Sequence, residues 1–518
     1  MRGLPSHACD GRARLWLALV VVVALATLPF LVHGWFEASD ETNDASIYVA
    51  SARAILAGEG YSYLGEPFTV RPPGMSWFLA AVFALRGADW LAVNVLVALS
   101  GVACVTLLYW HAQRRIGAWL AALVALAVWF STPFQTLCNQ AMSDVPGAAL
   151  LLACLAVERW AARQPSWRRD VVLGLAIGAA TYVRSVVILL VPAIAAARVL
   201  AAWSGARPRD ARAWARFALV SLAPFALAAF ATKLPWDVRC ALHHPEPPVD
   251  QNYLFSYSTA MWHVDGGDPA SPRRELSSIA ARVPERAETV LGLLGARLAP
   301  APRAAPTEGP GGHGAAHVAL GAALVVLVAI TAWRRRESAE LFALGFLLVL
   351  LLYFGFRDRL ALPLWLLALP AAVEAFLHLV SARTSPRLAR GAATLALVAL
   401  PFLDFRPRAG WDRVEAQHRF YERYAAEVVA VVPPERRLAS QIGWHLSVFL
   451  DRPVWSLFFA ARRAGGPQGA LETLRRRQID AVALSPRVPA DRSIAPFLLQ
   501  HMTPILRTDD TLVLAPRP

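Results

Sequence analysis

Lysine is almost missing from this chain. Of 51 basic residues 50 are arginine, and Lys233 is the one lysine; the bias carries no mechanism of its own. Cysteine is scarce, with five residues at positions 9, 104, 138, 154 and 240 and no CxxC or Cys/His spacing, so a structural zinc module is excluded. Charge is sparse as well. Asp, Glu, Lys and Arg make up 17% of 518 residues, where soluble domains carry about 25%. In their place 56% of the chain is hydrophobic and mean hydropathy is +0.42. These deficits exclude a water-exposed enzyme of two or three domains, a disordered protein and a collagen-like array, and no fixed-period repeat is present. The apolar excess requires a membrane.

A spanning helix needs about 20 apolar residues. Such runs cover Leu15 to Trp35, Trp90 to Trp110, Ile116 to Phe134, Met142 to Val157, Trp214 to Thr232, Ala315 to Trp333, Ala339 to Phe356 and Leu360 to Val380, with a shorter run from Gly391 to Phe405. A longer stretch from Val171 to Trp203 is interrupted at Thr181-Tyr182-Val183-Arg184-Ser185. Arginines flank both of its ends, so it reads as a hairpin with Arg184 near the outer apex. The expected fold is a polytopic α-helical membrane protein of about 11 transmembrane helices.

The arginines orient it. Arg12 and Arg14 precede the first run and the acids Glu37, Asp40, Glu41 and Asp44 follow it, so the N-terminus is cytoplasmic by the positive-inside rule. That run exceeds the roughly 7–15 apolar residues of a cleaved signal, which favours an anchor. Arg114 and Arg115, Arg168 and Arg169, Arg207, Arg209 and Arg212, Arg334 to Arg336, and Arg383, Arg387 and Arg390 all fall in cytoplasmic segments of this topology. The short outer segments hold few: Arg53, Arg71, Arg86, Arg184, Arg357 and Arg359. The net charge of +14 therefore needs no nucleic acid.

Residues 1–405 are thus expected to form the membrane domain, inserted in the inner (plasma) membrane, and residues 406–518 a small extracytoplasmic α/β domain. Within the former, residues 36–89 make a first outer loop whose Met75 to Leu85 stretch is too short to span and reads as an interfacial helix. Residues 233–314 make a long outer loop ending in Gly309-Pro310-Gly311-Gly312-His313-Gly314, a flexible linker. The C-terminal pattern is a helix from Trp411 to Val431, strands at Arg437 to Ile442 and Val454 to Phe458, a helix from Gln468 to Gln478, and strands at Ala481 to Leu484 and Thr511 to Leu514. Cys138 and Cys240 share the oxidising side, where they could pair.

Charges near spans are the functional candidates, because a charge at the bilayer centre costs about 2.5–3.5 kcal/mol. Asp44, Asp144, Arg184, Arg357 and Arg359 all end at the outer face in this topology. Each has a bland reading. Asp44 or Asn43 caps the helix beginning there, Asp144 caps the next with Pro146 in its first turn, Arg184 snorkels, and Arg357-Asp358-Arg359 is a solvated turn with its own ion pair. Together they put two carboxylates and several guanidinium groups on one membrane face, a set suited to proton abstraction and phosphate binding.

At these residues the chain resembles a family. Asp44 before Tyr48, then Ala52, Gly58, Gly60-Tyr61 and Arg71-Pro72-Pro73-Gly74, is similar to the first extracytoplasmic loop of the GT-C integral membrane glycosyltransferases, which include protein O-mannosyltransferases and lipid A aminoarabinose transferases. Ser143-Asp144-Val145-Pro146 resembles their acidic motif, Tyr182-Val183-Arg184 their split-hairpin arginine, and Phe356-Arg357-Asp358-Arg359-Leu360-Ala361-Leu362-Pro363 their late Arg-Tyr-x-x-Pro segment. Asp rather than Glu at 144 and Leu360 in place of an aromatic leave the subfamily open.

The resemblance implies a polyprenyl-phosphate sugar as donor and an envelope glycolipid, glycan or protein as acceptor, joined by a single inverting displacement. Asp44 is then the base and Arg184, Arg357 and Arg359 the donor phosphate site. Asp144 orients the acceptor or, with Asp44, holds a divalent cation; Tyr48, Tyr61 and Arg71 support the first loop. The expected partners are membrane lipid, donor and acceptor. The rival of another class is a secondary transporter or flippase for lipid-linked or small anionic substrates, for which paired repeats would be expected and are not seen.

Overall fold

The computed structural model describes residues 8–38, 43–204, 210–244, 255–299, 314–353, 357–406, 408, 410–462 and 466–517. Asp40, Glu41, the glycine-rich 309–313 segment and Phe356 lie outside the described residues. Every expected apolar run lies on helix. Among the described residues seven helices are long and apolar enough to cross a membrane: Gly11–Leu31, Trp90–Ile116, Asp144–Arg163, Ser185–Ser204, Ala211–Leu242, Ala315–Arg335 and Asp358–Ser381. The pair Ala118–Trp129 and Thr132–Cys138, bent by 64° at Phe130-Ser131, makes an eighth if it crosses as one span.

The expected eleven exceeds this count for a reason of length. Trp167–Thr181 and Ser338–Leu352 have 15 residues each, about 22 Å at 1.5 Å per residue, against a hydrocarbon core of about 30 Å. Pro386–Asp404 carries Arg387, Arg390 and Asp404 within its 19 residues. The hairpin is present as Trp167–Thr181, a break, a 3-10 turn at Ser185–Leu189 and Leu190–Ser204. Gly74–Arg86 is a short apolar helix, as expected of an interfacial segment.

At the end of the bundle where Arg115 and Arg163 lie, helix termini are laced by charge. Arg115 pairs with Glu337 at 2.5 Å and with Glu340, and it is 1% exposed, as is Glu340. Arg335 holds Glu374, and Ser338 donates to Glu158. A buried ion pair of this kind stands only because several partners share the charge. It ties together helices whose opposite ends carry Asp144 and Arg359.

The C-terminal region is built on a five-stranded sheet. Its strands, in spatial order, are Val454–Ser456, Leu438–Ser440, Ala481–Leu484, Leu512–Pro516 and Met502–Arg507. The first three run parallel, with Leu438 opposite both Val454 and Ala481, and the last two close the sheet antiparallel. The helices Trp411–Val429 and Gly466–Arg476 fall where expected. Four elements were not foreseen, one of them the five-residue helix Phe458–Arg462. Met502–Arg507 contains Pro504, which an edge strand tolerates because one side of it needs no donor. Pro489–His501 carries Pro496 within the helix, and Gly443–Leu450 is a short helix, apolar apart from His445 and Ser447, whose first six residues are buried.

That short helix is the dock. His445 Nδ1 and Ser46 Oγ are 2.8 Å apart, and Arg53 donates to Ser447 O at 3.1 Å and Val448 O at 2.9 Å. Cys138 and Cys240 are free thiols, so the pairing that their shared side left open is not made. Cys138 is buried beside Gly101, whereas Cys240 sits against the first loop and donates to Thr69 O at 3.2 Å.

Candidate active site

Asn43–Leu56 begins where the chain leaves the first membrane helix, so Asp44 occupies its first turn. The helix is amphipathic only weakly, and its Ala45, Ser46, Tyr48, Val49 and Ala52 are all buried. Asp44 Oδ1 receives Arg71, and Oδ2 receives Arg359 Nη2 at 2.8 Å. Capping is therefore not what this carboxylate does. Burial opposes its charge, but Arg71 and then Arg359 outweigh that and hold the carboxyl at about 2.

Asp144 opens the Asp144–Arg163 helix and is 1% exposed. Arg184 Nη2 lies 2.9 Å from its Oδ1 and Arg359 Nη1 3.6 Å from its Oδ2. Arg359 thus bridges the two carboxylates. This overturns the solvated-turn reading of Arg357-Asp358-Arg359, since Arg359 is 10% exposed and its partners lie 315 and 215 residues away in the chain. Arg184 does not merely snorkel; it sits at the helix break, with extended backbone before the 3-10 turn. Arg357 lines the same space and, among the described residues, no carboxylate pairs with it.

Two glycines let these parts approach. A Cβ at Gly147 would stand 2.7 Å from Arg184 Cδ and 2.8 Å from its Cβ. Gly74 donates its N–H to Tyr182 O at 2.7 Å, and a Cβ there would fall 2.5 Å from that oxygen. The Arg71-Pro72-Pro73-Gly74 run is thereby pinned to the hairpin break that carries Arg184. Tyr61 donates to Arg71 O at 3.0 Å, and Tyr48 shares a hydrogen bond with Ser143 at 3.2 Å. Burial, then the Asp44 charge, pushes the Tyr48 hydroxyl up, so it stays a neutral donor.

A cavity of about 910 Å³ opens over this charge cluster. Asp44, Arg71, Arg184, Arg357 and Arg359 form one end, and Val183, Ile188, Leu189, Phe346, Val349 and Leu350 form a continuous apolar wall. Tyr257, Met261, Trp444 and Phe458 complete the rim. Sequence reasoning missed these four. Tyr257 and Met261 lie in the long loop without a pattern, whereas Trp444 stands in a short stretch too apolar for a surface helix, which was the available signal. It missed Arg239 too, which donates to Phe68 O and Tyr61 O, both at 2.6 Å, and buckles the first loop to the Ala223–Leu242 helix.

Both carboxylates are engaged by guanidinium groups. Among the described residues no group of three or more His, Cys, Asp and Glu stands close enough to hold a metal ion. In this arrangement Asp44 and Asp144 are taken up by arginines and present no open ligand set to a divalent cation. What they fit is a dianion: cations shared between carboxylates can turn to an incoming phosphate, with a greasy channel alongside for an attached chain.

Residues 70–236, about a third of the chain, match the family described as dolichyl-phosphate-mannose-protein mannosyltransferase. The segment includes Arg71, Asp144 and Arg184. In fold the chain is similar to ArnT from Cupriavidus metallidurans bound to undecaprenyl phosphate, with TM-score 0.56 and 18% identity over 98% of each chain. It is also similar to the oligosaccharyltransferase AglB from Archaeoglobus fulgidus in complex with an inhibitory peptide and a dolichol-phosphate, with TM-score 0.52, 14% identity, and coverage of 91% of this chain and 69% of that one. No curated protein matches it by sequence. At these identities the likeness is one of fold, and it bears out the resemblance to GT-C glycosyltransferases as a multi-pass membrane architecture.

Proposed function

We propose that the protein transfers a sugar from a polyprenyl-phosphate carrier to an acceptor hydroxyl or amine at the outer face of the inner membrane. The observation that carries this reading is Arg359 bridging Asp44 and Asp144 at the polar end of a cavity whose other wall is apolar. A phosphate in that end draws Arg184, Arg357 and Arg359, and the isoprenoid lies along Ile188, Leu189, Phe346 and Leu350.

The chemistry follows from the charges. The acceptor oxygen attacks the anomeric carbon opposite the phosphate, the carbon–oxygen bond to phosphate breaks, and configuration inverts. Asp44 takes the acceptor proton, while the lipid phosphate leaves with both bond electrons, stabilised by the guanidinium groups. Arg71, itself held by Tyr61, keeps Asp44 ionised. Asp144 orients Arg184 and Arg359 and, when they turn to the phosphate, is free to orient the acceptor. Tyr48 holds Ser143 and so the start of the Asp144 helix. In this reading eleven segments cross, the N-terminus is cytoplasmic, and residues 406–518 form the extracytoplasmic lid that contributes Trp444 and Phe458.

Transport of a lipid-linked or small anionic substrate is the competing function. Purified protein supplied with a radiolabelled polyprenyl-phosphate sugar and envelope lipid extract should yield a labelled acceptor and free polyprenyl phosphate in equal amounts, identified by mass spectrometry. Counterflow of the lipid-linked sugar in sealed vesicles without any transfer would overturn the proposal in favour of transport.

A further inference from the structure

A second cavity, of about 390 Å³, stands behind the first and shares none of its lining residues. It lies where Leu31 ends the first membrane helix and Phe405 follows the Pro386–Asp404 helix. Arg406, Arg408 and Arg413 line it, and among the described residues Glu37 is the acid that does so. Among the described residues no carboxylate forms an ion pair with any of these three arginines. Glu37 instead accepts Gln140 Nε2 at 2.8 Å. Arg408 stacks over the Trp411 ring at 5.3 Å, and the Arg406 N–H donates to Thr132 Oγ1 at 3.2 Å, so the basic wall is held in place.

The floor is rigid and polar. Asn139, 5% exposed, donates to Leu31 O at 2.7 Å and Gln135 O at 3.0 Å and accepts the His33 N–H at 3.1 Å. Three guanidinium groups around a polar hollow beside the end of a membrane helix suit a phosphate ester, which accepts several charge-assisted hydrogen bonds at once. The 139–144 segment is the partition. Asn139 faces this cavity, while Ser143 lines the first and Met142 Sδ lies 3.4 Å from Arg359.

We propose that this cavity is a second phosphate site, taking the phosphate-bearing headgroup of a membrane lipid beside, and separate from, the Asp44 site. An occupant there braces the 139–144 segment and through it the start of the Asp144 helix. The site stands on its own geometry and does not depend on what reaction the first cavity performs.

The test uses the full-length protein in phosphatidylcholine nanodiscs containing phosphatidic acid, with lipid retention read by native mass spectrometry after gentle release. Arg406→Ala with Arg413→Ala should lower retention at least about tenfold. Thr136→Trp should do the same by filling the hollow at unchanged charge. Arg475→Ala with Arg492→Ala, equal in charge but on the exposed surface of the C-terminal region, should leave it as in the wild type. Inorganic phosphate is titrated in parallel. Competition identifies the headgroup phosphate as the recognised element, and failure to compete identifies the whole lipid. Equal retention in the two site variants and the wild type overturns the proposal, as does a loss in the surface-charge control matching that of Arg406→Ala with Arg413→Ala.

Discussion

Replacing Asp44 by Asn removes the charge that two guanidinium groups grip while keeping the size of the side chain. Arg71 is buried and Asp44 and Arg359 largely so, with exposures of 14% for Asp44, 3% for Arg71 and 10% for Arg359. Burial disfavours the ionised form, yet Arg71 and Arg359 bring the carboxyl down to about 2 from 3.8. At about 1.4 kcal/mol per factor of ten, the site favours the carboxylate by on the order of 2 kcal/mol. That contribution is complete above the unfolded carboxyl's range and is lost as pH falls from about 4 to about 2, so it is fully present at pH 7. It is smaller than the roughly 5–15 kcal/mol of an ordinary folded protein, so Asp44→Asn should fold with a lowered Tm. Turnover should fall at least about 100-fold, the scale of a lost general base. Affinity for the sugar-free polyprenyl phosphate should hold or rise, because Arg71 and Arg359 are released toward the anion. The assay is kcat and KM on purified protein with Kd for the lipid phosphate measured separately. Turnover within about threefold of the wild type refutes the base assignment, and a loss confined to Kd shows instead that Asp44 only positions arginines.

Gly147→Ala places a methyl group 2.7 Å from Arg184 and should displace it, raising KM for the donor roughly 10–100-fold with a smaller effect on kcat; unchanged KM removes Arg184 from the donor site. Arg115→Leu strands two acids, one of them 1% exposed, at the far end of the bundle, and should cost about 3–5 kcal/mol, seen as a fall in Tm in detergent without a selective change in KM. Asp491 accepts the Ser485 N–H at 2.7 Å, yet burial pushes its carboxyl up to about 8. The folded state then holds a proton that the unfolded chain releases near pH 4, so stability declines as pH rises from about 4 to about 8, by as much as about 5 kcal/mol. Asp491→Asn should flatten that decline; a Tm difference independent of pH would contradict it.

How far the site was legible depends on what each residue's neighbours in the chain reveal. Asp44, Asp144, Arg184 and Arg359 were found because a charge beside an apolar run is costly and therefore conspicuous. Their sharing of one face followed from counting spans. Arg71 was visible only as part of a Pro-Pro-Gly motif, and nothing local said that it reaches Asp44, 27 residues earlier. Arg239 and Tyr257 carry no local pattern at all. The count of crossings was the weakest expectation, because hydropathy runs extend through turns and helix ends, and Trp167–Thr181 and Ser338–Leu352 prove shorter than the runs they overlap.

By itself the sequence determined that the chain is apolar enough for a multi-pass membrane protein and where its long helices run, since apolar runs and periodicity are properties of neighbouring residues. It could not say that Arg359 would join Asp44 to Asp144, that Cys138 and Cys240 would stay apart, or that Trp444 and Phe458 would roof the cavity. Those are distances between residues far apart in the chain, and only packing of the helices and docking of the C-terminal sheet decide them. The second cavity is the clearest instance: Asn139 and Arg406 acquire a common function only because two helix ends and an interdomain segment meet at one point.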